Sequence, residues 1–238
     1  MKVICIILAR AGSKGIKNKN IARVNSKPLV FYPINAAIKS KVCDKIIVST
    51  DSKKIAKVAK RYGALVPFYR SKKLSGDFIT TEKSLQDCLL KSEIYFKTKF
   101  DICLFLTCTN IFRKISWIKY AIKILKKNKK IDSIFCVHQI YKHFWHYKNG
   151  KYRKVLQWMN SYTSRQIAPK FFREDTGIVC ATRANYWRIG KRIGKNIRFI
   201  INDDPFSSID IHKMQDLKLA EMAVRYLKKN KLDYDMAL

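Results

Sequence analysis

The chain has 238 residues, of which 47% are hydrophobic, so its composition allows one sizeable globular core. Its formal net charge of +33, from 50 lysines and arginines against 17 acidic residues, indicates an anionic partner, either a nucleotide or a nucleic acid. No apolar run approaches membrane-spanning length, and the seven cysteines contain no C-x-x-C pair, so neither a membrane partner nor structural zinc is expected.

Apolar periodicity predicts strands and helices that alternate along the chain. Predicted strands cover residues 2–9, 45–49, 64–68, 101–106, 133–137, 178–181 and 197–201, and predicted helices cover residues 28–40, 52–62, 81–96, 113–127 and 213–229. Pro28 is expected in the first turn of its helix. The alternation predicts a mainly parallel sheet covered on both faces, within a single domain spanning residues 1–238. The lysine-rich tail after Leu227 is expected to be frayed.

The segment 138–173 breaks this alternation. It is rich in aromatic residues, and Asn149-Gly150 is a turn signal typical of a β-hairpin. Two interpretations stay open: the aromatic side chains form a subunit interface, or they form a satellite core within the same chain. The first interpretation predicts a homodimer in which this segment is an insertion that serves dimerisation or acceptor binding.

Lysines are spread over the whole chain, mostly on the polar faces of predicted helices. This spread favours a compositional bias over a nucleic-acid-binding patch. Several cysteines lie within apolar runs, as reduced thiols of a cytosolic protein do, and the chain reaches its first strand without the apolar region of a signal peptide. We therefore expect a cytoplasmic protein.

The stretch I-C-I-I-L-A-R-A-G-S-K-G-I-K-N-K-N-I, residues 4–21, carries the strongest functional signal. A buried strand runs into a loop that is crowded with cations and hydrogen-bond donors. Gly12 and Gly15 allow backbone N–H groups to approach a polyphosphate closely. The loop matches neither the P-loop pattern nor the G-x-G-x-x-G dinucleotide fingerprint.

This stretch resembles the N-terminal signature of the CMP-acylneuraminate synthetase family, the cytidylyltransferases that activate sialic and related nonulosonic acids. The resemblance implies a three-layer α/β/α nucleotidyltransferase fold of Rossmann-like type with a protruding dimerisation element. It also implies that CTP and a sugar acid are the substrates. Residues implied to bind the nucleotide are Arg10, Ala11, Gly12, Ser13, Asn20, Arg70 and Thr80, and Lys19 is implied to hold phosphate as a catalytic residue.

Further stretches extend the resemblance over nearly the whole chain. In V-P-F-Y-R-S-K-K-L-S-G-D-F-I-T-T, residues 66–81, Arg70 matches a phosphate- or base-binding arginine. In L-F-L-T-C-T-N-I-F-R, residues 104–113, Thr107 stands where the family usually has a glutamine that helps to recognise nucleotide or acceptor. In S-R-Q-I-A-P-K-F-F-R-E-D-T-G, residues 164–177, Arg165 is implied to be catalytic and to clamp the acceptor carboxylate, with Gln166 and Arg173 beside the acceptor.

Two acidic positions complete the predicted site. Asp51 follows the strand 45–49, so it either faces the ligand crevice or caps the next helix. In S-I-D-I-H-K, residues 208–213, Asp210 matches the first of two aspartates that hold Mg²⁺ in the family, and His212 replaces the second. Mg²⁺, or Mn²⁺, is therefore the implied cofactor. Imidazole suits softer metals better than Mg²⁺, so His212 is either a ligand, a base or a residue that acts through water.

The resemblance implies transfer of CMP from CTP to the anomeric hydroxyl of a nonulosonic acid, with release of pyrophosphate. Three alternatives stay open. The same fold could activate another sugar acid such as Kdo, the chain could be a nucleic-acid-binding protein, or it could be a non-catalytic relative that binds a nucleotide or a partner. The presence of Arg10, Lys19, Arg165 and Asp210 together argues against a decayed site.

Overall fold

The computed structural model describes residues 1–160, 164, 166–232 and 235–238. A seven-stranded sheet forms its centre, in the order β11-β6-β10-β5-β1-β4, with β9 paired to β6. The strands of this sheet are β1 (Val3–Leu8), β4 (Lys45–Ser49), β5 (Ile102–Leu106), β6 (Ser133–Ile140), β9 (Phe171–Glu174), β10 (Cys180–Arg183) and β11 (Ile197–Asn202). Two short antiparallel pairs lie outside it: β2 (Arg23–Val24) with β3 (Lys27–Pro28), and β7 (Trp145–Lys148) with β8 (Lys151–Lys154).

Six helices accompany these strands in the described part of the chain. They are α1 (Phe31–Ser40), α2 (Lys53–Arg61), α3 (Thr81–Tyr95), α4 (Ile115–Lys127), α5 (Ala184–Arg188) and α6 (Met214–Lys229). Two apolar clusters of buried side chains contain alternate residues of the central strands: Val3, Cys5 and Ile7 belong to one, and Ile4 and Ile6 to the other. A strand whose successive residues enter different cores is buried on both sides, so the expected layered α/β fold is confirmed.

Strand directions confirm the mainly parallel sheet. β1 pairs in parallel with β4 and β5, and β6 pairs in parallel with β11. β10 runs antiparallel between β5 and β6, and β9 runs antiparallel to β6. The carboxyl ends of β1, β4 and β5 therefore lie along the same edge of the sheet.

Two predicted element boundaries are wrong for reasons that lie in the backbone. Pro28 does not begin a helix but pairs with Arg23 in the β2–β3 ribbon, and α1 begins only at Phe31. The intervening Leu29 and Val30 donate their N–H groups to Ala22 and Asn20. The predicted strand at 64–68 is a single bridge between Leu65 and Ile47, because Pro67 lacks the N–H that would extend the ladder.

The end of the chain is also more ordered than expected. Met236 and Ala237 are buried, and Met236 forms a β-bridge with Lys114. The Asp235 carboxylate accepts hydrogen bonds from the N–H and the hydroxyl of Ser116, in the first turn of α4. An acidic side chain from the far end of the chain thus satisfies the free N–H groups of this helix.

The segment 138–173 combines features of both interpretations that the sequence left open. Asn149 and Gly150 have positive φ angles of 52° and 75° and form the predicted hairpin turn between β7 and β8. Met159 is fully buried and Trp158 stacks on Phe171, as in a satellite core. The rings of Tyr147 and Tyr152 pack on each other but remain mainly exposed.

Candidate active site

A cleft of about 560 Å³ opens at the carboxyl ends of β1, β4 and β5. This edge is where ligands bind in open α/β sheets. Cationic and hydroxyl side chains dominate the lining, together with backbone from the loop after β1. The polar and glycine residues of the lining are Arg10, Ser13, Lys14, Gly15, Lys19, Asn20, Arg70, Gly76, Asp77, Thr81, Ser84, Thr107, Thr109, His212 and Lys213.

The loop after β1 is held in shape by contacts with two other segments. Asn20 donates from Nδ2 to the carbonyl of Arg10 over 2.8 Å, and the N–H of Ala11 donates to Asp51 Oδ1 over 2.8 Å. Asp51 therefore faces the loop and does not cap α2, whose cap is Ser52. At Gly15 an added Cβ would lie 2.1 Å from the carbonyl oxygen of His212, so only glycine allows this approach.

Asp77 forms ion pairs with two cationic side chains of this loop. Its two carboxylate oxygens lie 2.8 Å from Arg10 Nη2 and 2.8 Å from Lys14 Nζ. Hydrogen bonds from Lys14 and Arg10 lower the pKa of this carboxyl group. A phosphate group that binds these two cations must therefore displace Asp77 or share them with it.

Arg70 is the most unusual charge in the cleft. Only 6% of the residue is exposed, and its Nε and Nη2 atoms are buried without a hydrogen-bond partner. Burial lowers the pKa of the Arg70 guanidinium, and the charge of Asp51 partly opposes that shift. Two buried guanidinium nitrogens without acceptors are costly to the free protein, so this side chain is a candidate to hydrogen-bond to a ligand in the cleft.

Lys19 lies on the side of the cleft that is formed by residues 210–213. Its Nζ donates to the carbonyl of Ile211 over 3.2 Å. Burial lowers the pKa of Lys19, and the nearby Asp210 partly opposes that effect. Asp210 Oδ2 lies 2.9 Å from His212 Nε2, so the two residues predicted as metal ligands contact each other.

The donor set near Asp210 limits what kind of metal site is possible. Within the described ranges, no group of three or more His, Cys, Asp or Glu side chains could hold an ion. One carboxylate is nevertheless a suitable protein contribution to Mg²⁺, which commonly keeps several waters and takes its other ligands from substrate phosphates. The residues present fit an ion held in that way.

The end of β5 is braced from within the protein. Arg113 is fully buried; its Nε donates to the carbonyl of Ile178, and its Nη2 donates to the carbonyl of Thr107 over 2.8 Å. Burial lowers the pKa of Arg113 to about 10. Thr107 Oγ1 donates to the carbonyl of Gly177 over 3.0 Å. A larger residue would not fit at position 177, because a Cβ added to Gly177 would lie 2.4 Å from Asn110 Oδ1. Arg113 therefore positions Thr107 rather than contacting the cleft.

The structure brings most of the predicted nucleotide-binding residues to this cleft. Arg10, Ser13, Lys19, Asn20, Arg70, Thr107 and His212 line it. Ala11 and Gly12 belong to the same loop but are exposed. Thr80 caps α3 by accepting a hydrogen bond from the N–H of Lys83, while its neighbour Thr81 lines the cleft.

Of the predicted acceptor-binding residues that the structure describes, only Thr107 lines this cleft. Arg173 and Asp210 line a smaller cavity of about 250 Å³. Gln166 is exposed, and Arg165 lies outside the described residues. The sequence reasoning did not assign Asp77, Ser84 or Lys213 to the site, although all three line the cleft. For Asp77 a signal was present, since it is an isolated acidic residue between two lysines and two threonines.

Within the part of the chain that the structure describes, no helix is long and apolar enough to cross a bilayer. All seven cysteines are free thiols, six of them buried.

Fold and cleft together define an α/β protein with a cleft lined by cationic and hydroxyl side chains at the carboxyl edge of a mainly parallel sheet. Residues 4–225 match the model of a protein family described as cytidylyltransferase. The chain belongs to this family and is accordingly a nucleotidyltransferase.

Relatives and solved structures agree with this assignment. The chain is 32% identical over 227 residues to post-translational flagellin modification protein B of Campylobacter coli, with 94% of this chain and 95% of that protein covered. It is 31% identical over 226 residues to a CMP-N,N'-diacetyllegionaminic acid synthase of Campylobacter jejuni, with 94% and 95% covered. A CMP:2-keto-3-deoxy-manno-octonic acid synthetase complexed with CTP has the same fold, with a TM-score of 0.68, 12% identity, and 97% and 100% of the two chains covered.

Proposed function

We propose that this protein transfers CMP from CTP to the anomeric hydroxyl of a nonulosonic, sialic-type acid and releases pyrophosphate. The observation that carries the proposal is Arg70, whose buried guanidinium lacks acceptors and lines a cleft beside Arg10, Lys14 and Lys19. Such a cluster suits a polyphosphate with a base attached. The relatives named above, which include a CMP-legionaminic acid synthase, support a sugar acid as the acceptor.

In this reaction the protein positions two anionic substrates and neutralises charge. Arg10 and Lys19 hold the phosphates, and the loop at Gly12 and Ser13 supplies further donors. Asn20 orients the nucleotide by fixing the loop through the Arg10 carbonyl. The anomeric hydroxyl loses its proton to solvent, its oxygen forms a bond to the α-phosphorus, and the bond from that phosphorus to the departing pyrophosphate oxygen breaks. Orientation and charge stabilisation account for the rate, and no covalent nucleophile is required.

A divalent ion, Mg²⁺ or Mn²⁺, would be held by Asp210 together with substrate phosphates and waters. It would supply positive charge to the phosphate oxygens. His212, at 2.9 Å from Asp210, would fix the orientation of that carboxylate. The half-buried Lys19, whose Nζ points to the neighbouring Ile211 carbonyl, contributes a second positive charge on the same side.

We assign acceptor binding to Thr107, which lines the cleft, and to Arg173 in the smaller cavity, together with Gln166, with Arg165 as the clamp of the acceptor carboxylate. We further propose that residues 138–173 form a dimerisation insertion within a single domain. The exposed rings of Tyr147 and Tyr152 on the β7–β8 hairpin support this proposal. All seven cysteines are free thiols, which supports our proposal that the protein acts in the reducing cytoplasm.

Pyrophosphate release from CTP tests the function directly. A panel of nine-carbon and eight-carbon keto sugar acids, each with Mg²⁺ or Mn²⁺, is expected to give turnover with a nine-carbon acid. Exclusive turnover with an eight-carbon acid would move the assignment to another sugar-acid cytidylyltransferase. Absence of both turnover and CTP binding would reject the proposal.

Variants at the metal side test the assigned roles. Asp210→Ala is expected to reduce turnover by orders of magnitude while the fold survives, and His212→Asp is expected to retain activity with Mg²⁺. Near-normal rates for Asp210→Ala would remove that residue from the active site. Complete loss in His212→Asp would show that the imidazole itself is needed.

A further inference from the structure

A second, smaller cavity lies beyond the nucleotide cleft, near the end of β11. It has a volume of about 250 Å³ and is lined by Asn110, Arg173, Asp175, Ser207, Ser208 and Asp210. Every one of these side chains is polar or charged. This volume is below the range of roughly 300–1,000 Å³ that is typical of pockets for whole small-molecule ligands, so the cavity suits one substituent of a sugar.

Ser207 provides the strongest evidence that a ligand enters this cavity. The residue is 1% exposed and lines this polar cavity, and its Oγ is buried without a hydrogen-bond partner. Its position is fixed by a short turn in which the N–H of Ser207 donates to Asp204. Buried hydroxyls without partners are uncommon in proteins, so this one is available for a group that the protein itself does not supply.

A neighbouring residue shows the same deficiency. Asn202, at the end of β11, is 2% exposed, and its Nδ2 is buried without an acceptor. Its Oδ1 accepts a hydrogen bond from the N–H of Asp204, the residue that caps the turn containing Ser207. The two buried donors without partners, Asn202 Nδ2 and Ser207 Oγ, therefore lie close together in the chain, at the end of β11 and in the turn that follows it.

The charges around the cavity indicate an uncharged ligand group. Arg173 donates from Nε and Nη2 to the two oxygens of Asp175, at 3.0 Å and 3.1 Å, so these two charges neutralise each other. The remaining lining offers hydroxyl and amide groups, because the Asp210 carboxylate contacts His212 and holds the proposed divalent ion. A group that both donates and accepts hydrogen bonds matches this set, whereas a second carboxylate or a phosphate does not.

The cavity adjoins the nucleotide cleft. Asp210 lines the cavity, His212 lines the cleft, and their side chains are 2.9 Å apart. We propose that this cavity is a specificity pocket for a hydroxyl or acylamino substituent of the acceptor sugar acid, and that Ser207 hydrogen-bonds to that substituent. This inference rests on the proposed function, because it requires the acceptor to lie beside Asp210.

Ser207→Ala separates this role from a structural one. Removing a hydroxyl that has no partner inside the protein leaves the melting temperature unchanged or raises it. CTP binding, measured by calorimetry, stays as in the wild type. The KM for the preferred acid rises by roughly three- to tenfold, the effect of one lost hydrogen bond between uncharged groups.

Ser92→Ala is the matched control, because Ser92 is also fully buried but its hydroxyl donates to the carbonyl of Cys88 over 2.7 Å, within α3. This variant is expected to lose stability and to keep the wild-type KM. The bound substituent can be identified with sugar acids that each lack one hydroxyl or acylamino group. For the acid that lacks the bound substituent, Ser207→Ala and the wild type should have the same KM.

Two results would overturn the inference in different ways. If the wild type transfers CMP and Ser207→Ala has the wild-type KM for every accepted acid, the specificity pocket is rejected and the proposed function stands. If the wild type releases no pyrophosphate with any sugar acid, the proposed function and this inference are rejected together.

Discussion

Replacing Arg70 with methionine should improve the stability of the free protein and damage nucleotide binding. The residue is 6% exposed, and two of its guanidinium nitrogens are buried without acceptors. In the free protein its charge is desolvated and only partly compensated by Asp51, and burial lowers its pKa. Methionine has a similar length and carries no charge, so it removes this penalty while filling much of the same volume.

The expected magnitudes follow from the unmade hydrogen bonds. Relief of the unsatisfied group should raise the free energy of unfolding by about 1–3 kcal/mol, and each kcal/mol raises the melting temperature of a chain of this size by roughly 2–4 °C. Loss of hydrogen bonds from a charged group to the nucleotide should cost about 3 kcal/mol of binding, which is roughly a 100-fold increase in the Kd for CTP.

Thermal unfolding without ligand and calorimetric titration with CTP measure the two effects separately. Arg70→Lys keeps the charge without the planar fork, so its CTP affinity should lie between those of the wild type and the methionine variant. Arg61→Met, at an exposed position of α2, controls for the loss of one positive charge. The reasoning is refuted if Arg70→Met binds CTP like the wild type, or if it is less stable than the wild type without ligand.

Three further predictions concern other parts of the molecule. Asp77→Asn removes the anion held between Arg10 and Lys14, so CTP should bind roughly two- to fivefold more tightly in calorimetry at low salt. Glu93, whose side chain is 2% exposed and contacts Arg188 at 2.6 Å, has its pKa lowered from 4.5 to about 2. Arg188, Lys99 and a backbone N–H outweigh the opposing effect of burial on that pKa. The stabilisation by the ionised Glu93 carboxylate is therefore complete above pH 4.5 and is lost as the pH falls towards 2. In urea unfolding at pH 7, Glu93→Gln should have a free energy of unfolding about 3 kcal/mol below that of the wild type. This difference should shrink by roughly 2 kcal/mol by pH 3. Replacing Tyr147 and Tyr152 with lysine should convert a dimer into a monomer in light scattering.

Each of these predictions has a control within the chain. Glu221→Gln removes an α6 carboxylate that pairs with Arg225 and is not part of the cleft lining, and it should leave CTP binding unchanged. Glu221→Gln breaks an exposed pair on α6 and should scarcely change stability at any pH. Tyr120→Lys changes an exposed ring on α4 and should leave the oligomer intact.

Contrary results would have definite meanings. Weaker CTP binding in Asp77→Asn would show that Asp77 positions Arg10 for the phosphate instead of competing with it. A stability deficit in Glu93→Gln that is independent of pH would show that packing, rather than the ionised carboxylate, is the stabilising factor. An unchanged mass after the tyrosine replacements would place any dimer contact outside the β7–β8 hairpin.

Local sequence determined the order and type of most elements and the position of the phosphate loop. Strands such as Val3–Leu8 are short apolar runs that can only be buried on both faces, and helices such as Lys53–Arg61 have apolar residues at helical spacing. The cations and glycines between residues 10 and 20 were recognisable because they lie together in sequence, directly after a buried strand.

Tertiary structure decided the features that depend on distant residues. β10 enters the sheet antiparallel between β5 and β6, which no local pattern specifies. Asp77 joins Arg10 only because residues 71–79 fold over the cleft, and Asp235 reaches the start of α4 from the far end of the chain. Arg113 donates hydrogen bonds to the carbonyls of Thr107 and Ile178, which are distant from each other in sequence, and so braces the end of β5.

The physical reason for this division is the range of the interactions. Hydrophobic periodicity, glycine conformation and helix capping act within a few residues, so the sequence displays them directly. Whether a charge such as Arg70 is paired, and whether a hydroxyl such as Ser207 is satisfied, depends on groups brought from other elements by packing of the sheet. Such unsatisfied groups are visible only in the folded chain, and they are the basis of the two ligand contacts proposed above.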